Sequence, residues 1–180
     1  MILRVFYFLV LMILLGCHPD KNKLVDLYKL RFNSTDASEI FFKNIRRSYY
    51  EVEENPEAAI ELYTLSGYNE IKQPKLKPTI AYNWRNDFVA IMLSISENLK
   101  DQEALLIIFE NETEERKLLY NESDVKTQTS VAIQLYNGIL SSDEIFLVVN
   151  RQKLRLFSNS EEKDLFRVTV FDFLRFVEIR

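Results

Sequence analysis

Two periodicities divide the chain. Before Gln73 the apolar residues recur every three to four positions; after Pro78 they come in short runs or alternate. Asp36-Ala37-Ser38-Glu39 has the form of a capping box, with Asp36 as N-cap and Glu39 reaching back from the third helical position. Phe41, Phe42, Ile45, Tyr49 and Val52 follow at helical spacing, while Lys43, Arg46, Arg47 and Tyr50 share the other face. This pattern predicts an amphipathic helix of about fifteen residues whose stripe of Phe41, Ile45 and Tyr49 is buried. Asn55-Pro56-Glu57 reads as the start of a second helix, with Asn55 as N-cap, Pro56 in the first turn and Gly67 as its stop. Ile60, Leu62 and Thr64 also alternate, so a strand competes over 56–66; the helix is preferred.

The stretch Gln73–Pro78, with two prolines and two lysines, marks the break. Beyond it Phe88–Ile95 and Ala104–Phe109 flank the polar Ser96–Glu103 as in a hairpin, and Ile145–Val149 and Leu154–Phe157 flank Asn150–Lys153 in the same way. Val131, Ile133 and Leu135 alternate with Ala132, Gln134 and Tyr136, as a strand would. Phe166, Val168 and Val170 point one way and Phe171, Phe173 and Val177 another, a phase flip of the kind a bulge or sheet corner makes. The expected fold is therefore α+β: amphipathic helices over about 24–72, then a mainly antiparallel β-sheet or β-sandwich over about 79–180, together one domain from 24 to 180. With only three glycines in the chain, its turns must rely on Asn, Asp and Ser.

The first residues change the picture of where such a domain works. Arg4 precedes an uninterrupted apolar run from Val5 to Leu15, then Gly16 and Cys17. A basic start, a short apolar stretch and a small residue before the cut describe a secretory leader. A spanning helix needs about 20 apolar residues, so this run is too short to cross. Leu14-Leu15-Gly16-Cys17 resembles the lipobox of bacterial lipoproteins. The resemblance implies that residues 1–16 are removed, that Cys17 becomes the lipid-bearing N-terminus, and that the chain is held on a membrane of the cell envelope. Several acyl chains on one residue suffice for stable anchoring, since each buried CH₂ contributes about 0.8 kcal/mol. His18 stands where an aspartate would signal inner-membrane retention, which favours the outer membrane in an organism that has one. Residues 17–23 form a short tether of at most roughly 25 Å.

Charge and residue inventory narrow the chemistry. The leader carries a single charge, Arg4, so its removal takes the formal net charge from −4 to −5, which argues against nucleic acid as a partner. The one histidine lies beside the anchor and the one cysteine is consumed by it. Histidine-based triads, cysteine catalysis and a zinc site built on His or Cys are then not expected, nor is any metal or cofactor. Glu110, Glu112, Glu114 and Glu115 offer carboxylates of the kind a glycosidase or a calcium site uses, but their place between two apolar runs reads as a solvated hairpin tip.

Two candidate surfaces remain. Tyr82 and Trp84 alternate, so in a strand they share a face and form a stacking platform for a sugar or peptide. Lys43, Arg46 and Arg47 form a basic helix face that the short tether would bring to anionic headgroups. The expected function is that of a lipid-anchored binding or scaffolding module whose partner is an envelope protein or glycan. The alternatives are a carboxylate hydrolase of envelope polysaccharide and an immunity or inhibitor lipoprotein.

Overall fold

The computed structural model describes residues 23–71, 75–99, 105–121, 124–149 and 151–179. The expected leader, Cys17, His18 and most of the expected tether lie outside them. The protein is α+β, with three α-helices and two four-stranded antiparallel sheets among the described residues. The first sheet is a meander of β1 (Tyr50–Asn55), β2 (Ile60–Leu65), β3 (Leu76–Asn83) and β4 (Phe88–Ile95). The second contains β5 (Leu105–Glu110), β6 (Glu115–Tyr120), β7 (Glu144–Val149) and β8 (Gln152–Arg155), in the order β6-β5-β7-β8. Helix α1 (Asp36–Phe41) precedes the first sheet, α2 (Val125–Leu140) joins β6 to β7, and α3 (Ser160–Phe176) ends the fold.

Helices and strands thus interleave, instead of separating into an N-terminal helical part and a C-terminal β part. Four expectations are corrected. The segment 56–66 is a turn and the strand β2, because Asn55 Oδ1 accepts from Ala58 N–H to cap a hairpin turn and Ile60–Leu65 then pairs with β1 and β3. Val131–Tyr136 lies inside α2, and the apparent phase flip at Val170 lies inside α3. Asp124 accepts from Lys126 and Thr127 N–H at the start of α2, and Asn159 from Glu162 N–H at the start of α3. Both caps are visible in sequence as acidic or amide residues ahead of the helices. Finally, β4 and β5 belong to different sheets and are not a hairpin. The hairpin β7–β8 forms as expected, and Asn111–Glu114 turns β5 into β6, with Asn111 Oδ1 accepting from Thr113 and Glu114 N–H.

The prolines and turns follow local geometry. Strand β3 begins inside the expected break and contains Pro78, opposite Leu93. Leu93 sends its N–H to Gln128 Oε1 (2.8 Å) and its carbonyl accepts from the Tyr120 hydroxyl, both away from β3. The Pro78–Leu93 pair is therefore non-hydrogen-bonded, and the missing N–H of Pro78 falls on the side where β2 pairs only from Ile80 onward. Left-handed backbone at Asp87 and Ser142 meets the expectation of Asp and Ser in turns; Ala59, Arg151, Phe157 and Glu178 adopt it too, at about 1–2 kcal/mol each.

The outer edge of β4 is closed by two side chains of α2 and by the main chain at Phe32. Ile91 N–H donates to Thr129 Oγ1 of α2 (2.8 Å), Leu93 N–H to Gln128, and Val89 N–H to the Phe32 carbonyl (2.7 Å). An exposed ladder edge is a template for pairing with another chain, and here α2 occupies it. On its other flank α2 approaches the second sheet at Gly138, where a Cβ would stand 2.8 Å from the Phe109 ring. The two sheets, helices α2 and α3 and Phe42 just after α1 contribute to one apolar cluster, in which Phe42, Tyr63, Tyr82, Phe166, Phe173 and Phe176 are the largest fully buried aromatic rings beside Tyr120.

Candidate functional site

The N-terminal helix is inverted relative to its sequence pattern. Its cap is Thr35, one residue before the expected Asp36, with Ser38 completing the reciprocal box. After Phe41 the winding widens: Phe42–Arg46 is a π turn, closed by Arg47 N–H to the Phe42 carbonyl, and Arg47–Tyr49 tightens to a 3₁₀ turn. A π turn aligns residues five apart, so Ile45 falls beneath Ile40 and not beneath Phe41. Ile40, Ile45 and Tyr49 are 60%, 54% and 56% exposed, and Phe41 is half-buried. The residue that enters the core is Phe42, at 1% exposure. It stacks on Phe176 (centroids 4.4 Å apart) and meets Tyr63 edge-on at 5.0 Å. The expected burial of Phe41, Ile45 and Tyr49 is thereby corrected.

The basic face turns toward the protein. Lys43 Nζ lies 2.8 Å from Glu39 and 3.5 Å from Glu61, and sits over the Tyr82 ring at 5.3 Å. Burial pushes the Glu39 carboxyl up, but Lys43 and the Tyr82 hydroxyl outweigh it and hold it below its ordinary value. Arg47 pairs with Glu54 at 2.8 Å. Arg46 reaches Asp172 of α3, which is 2% exposed, through Nε (2.8 Å) and Nη2 (2.7 Å), and Tyr50 donates its hydroxyl to the same oxygen at 2.7 Å. Burial works against the Arg46 charge, and Asp172 more than restores it. Each of the three cations is thus paired with a protein carboxylate, Arg46 with the buried Asp172 and Arg47 with the exposed Glu54.

Tyr82 and Trp84 do not share an exposed face. Tyr82 is buried in β3, whereas Trp84 follows the strand in the turn to β4, 44% exposed with the Arg85 guanidinium 5.8 Å from its ring. The acidic tip at Glu110–Glu115 is laced by lysines: Lys153 pairs with Glu110 and Glu115, and Lys117 with Glu115 at 2.8 Å. Among the described residues, no group of His, Cys, Asp and Glu is gathered as a metal site.

A cleft of about 750 Å³ opens at the end of the fold where the described chain begins. Lys23–Lys29 forms one wall, α1 a second and the end of α3 a third. The first wall is held by Asn137, whose side-chain amide accepts from Val25 N–H and donates to the Val25 carbonyl, both at 2.9 Å. The third ends in a Schellman turn: Glu178 N–H donates to the Arg175 carbonyl (3.2 Å) and Ile179 N–H to the Leu174 carbonyl (2.8 Å). That turn sets Glu178 on the rim, where it accepts from Thr35 Oγ1 at 2.8 Å and ties α3 to the cap of α1. Inside, the Arg175 guanidinium lies 4.3 Å from the Phe41 ring and 5.6 Å from Phe171. Lys23 and Lys29 add positive charge and Asp26 and Glu178 negative charge; these four and Arg175 are all exposed, and Lys29 pairs with Asp26 at 3.7 Å. The sequence reading missed Arg175 and Phe171 because it took their segment as strands. A helical reading puts them four apart on one face.

This is an α+β protein whose cleft is an aromatic and cationic recess. The chain matches no family model, no curated protein and no solved structure. Among the described residues, no helix is long and apolar enough to cross a membrane.

Proposed function

We propose that the chain is a lipid-anchored cell-envelope protein, held by acyl groups on Cys17, that works by binding a partner and not by catalysis. The observation that carries the binding half is the cleft beside Lys23, with its Arg175 guanidinium stacked on Phe41 and Phe171. An aromatic wall with converging cations suits a ligand that is part apolar and part anionic, such as an acidic segment of an envelope protein or an acidic glycan. Hydrolysis by paired carboxylates draws no comparable support. Asp26 caps the Tyr28 N–H and Glu178 is engaged by Thr35, while the buried Asp143 and Asp172 are occupied by Arg116 and Arg46. The Leu14-Leu15-Gly16-Cys17 sequence carries the anchoring half.

The two halves are tested separately. Intact-mass analysis of the membrane-bound protein should show a chain beginning at Cys17 with acyl groups on it, and Cys17→Ser should leave an uncleaved precursor or release the chain from membranes. An unmodified Cys17 on a mature, membrane-bound chain overturns the anchor. For the cleft, thermal unfolding of the full chain is followed with acidic peptides and soluble envelope glycans. A ligand at about a hundredfold its Kd stabilises the native state by about 2.7 kcal/mol. Wild type should show such a gain with at least one probe and Arg175→Ala should lose most of it; equal gains in both overturn the assignment of the cleft.

A further inference from the structure

Of the nine large apolar side chains that stand exposed among the described residues, six lie between Leu24 and Tyr49. Leu24, Leu27 and Tyr28 belong to the Lys23–Lys29 segment, and Ile40, Ile45 and Tyr49 to α1 and the two turns that follow it; the two stretches come together at the cleft, which Leu24 and Phe41 line. Neither element is loose. Val25 is clamped by Asn137, and the chain is pinned again at Val89 N–H to the Phe32 carbonyl and Ser34 N–H to the Asp87 carbonyl. Between these fixed points the 3₁₀ turn Leu27–Lys29 presents Tyr28 fully to solvent. In the helix, the π turn stacks Ile40, Ile45 and Tyr49 outward while Lys43, Arg46 and Arg47 are taken up by carboxylates of the protein body. An amphipathic helix ordinarily buries its apolar stripe. Here Phe42 enters the core while Ile40, Ile45 and Tyr49 stay exposed, Tyr49 with the Arg46 guanidinium 4.7 Å from its ring.

We infer that this N-terminal apolar surface seats on the lipid bilayer that carries the anchor, with Ile40, Ile45, Tyr49, Leu27 and Tyr28 entering the interface. The inference rests on the proposed anchor at Cys17. That residue lies within roughly 25 Å of Lys23 along even a fully extended chain, so the bilayer is the one apolar phase held permanently beside this surface. The exposed charges of the stretch leave a small positive excess, Lys23, Lys29 and Arg31 against Asp26 and Asp36, with Lys29 paired to Asp26 at 3.7 Å, so anionic headgroups add only modestly to the apolar contact. Tyr28 and Tyr49 combine an apolar ring with a polar tip, the composition favoured at the level of the headgroups. Seating on the bilayer orients the protein, so the cleft opens close to the membrane surface and not at the far end of a free tether.

The test places a fluorescent probe on the surface while the attachment is fixed by chemistry. The chain from Cys17 onward, made without residues 1–16 so that no apolar leader can insert and the thiol stays free, is coupled through Cys17, its only cysteine, to a maleimide lipid in vesicles of phosphatidylcholine and phosphatidylglycerol. Coupling replaces whatever modification the cell makes, so the outcome does not depend on natural lipidation, which the mass analysis decides. Trp84→Phe removes the only native tryptophan, and Ile45→Trp, Tyr28→Trp or, as a control on the exposed strand β6, Leu119→Trp is then added. Brominated acyl chains quench a tryptophan that reaches them. Ile45→Trp and Tyr28→Trp should lose about half of their emission, as rings buried about 5–10 Å into the headgroup boundary would. Leu119→Trp should keep its emission. Equal emission from all three positions overturns the docking. So does shielding of Ile45→Trp that grows with protein concentration and ignores bromine, which would put a second copy of the chain on the surface instead.

Discussion

Phe42→Ala is expected to cost about 3–5 kcal/mol of folding stability, and Phe41→Ala only about 1 kcal/mol. The two phenylalanines are adjacent in sequence and opposite in role. Phe42 is enclosed by Phe176, Tyr63 and Tyr50, with ring centroids 4.4, 5.0 and 5.6 Å away, so its removal leaves a cavity inside an aromatic cluster that can collapse only in part. Phe41 lies on the wall of the cleft under Arg175, where water and the guanidinium already share its surface. Losing it removes one cation–π contact and part of an apolar area, with no enclosed void. Urea denaturation of the full chain with each variant measures both. Similar losses at the two positions would mean that Phe41 is as enclosed as Phe42 and that the cleft does not open at its ring.

Asp172→Ala should be nearly as damaging, at about 3 kcal/mol, because it leaves Arg46 and the Tyr50 hydroxyl without their shared acceptor. The lower end of the usual range applies, since Arg46 keeps 22% of its side chain in contact with water. Burial, with Asp172 adding to it, pushes the Tyr50 phenol far above its ordinary value, so it remains a donor throughout the accessible pH range. The pair Arg46→Met with Asp172→Leu should recover part of the loss, because replacing both charges with apolar groups removes the desolvation cost along with the attraction, while the Tyr50 hydroxyl is still left without its acceptor. A double variant as unstable as the sum of the single ones would show that the two side chains do not act together.

These two sites also show where the sequence was legible. The capping box was found, one residue late, because the Thr35–Ser38 and Asp36–Glu39 pairs both satisfy its chemistry. The two hairpins with polar tips were readable because turn residues separate short apolar runs. Helices α2 and α3 were not, since each is buried on more than one side. In α2, Val131, Ala132, Ile133, Leu135 and Tyr136 are all buried, and a helix covered this widely loses its stripe and mimics alternation. In α3 the positions 166, 170, 173 and 177 carry the helical period, and the apparent flip was that period viewed in steps of two. The cleft was invisible for the same reason, as its Arg175 and Phe171 belong to α3. The π turn leaves no mark in the residue pattern: nothing in Phe42–Arg46 announces an extra residue per turn, and a shift of one position exchanged the inside and the outside of the helix.

The contacts that close the molecule join its two ends. Thr35 meets Glu178 across 143 positions, Arg46 meets Asp172 across 126, and Phe42 stacks on Phe176. Ordering such pairs requires closing nearly the whole chain into a loop, and contacts of this range form late and slowly. While the chain is being made, Phe42, Tyr50 and Tyr63 have no partner from α3, so the aromatic cluster stays open until the last helix has emerged. A protein that leaves the cytoplasm by threading unfolded, as the proposed leader implies, benefits from a topology that cannot finish folding before its C-terminus is available.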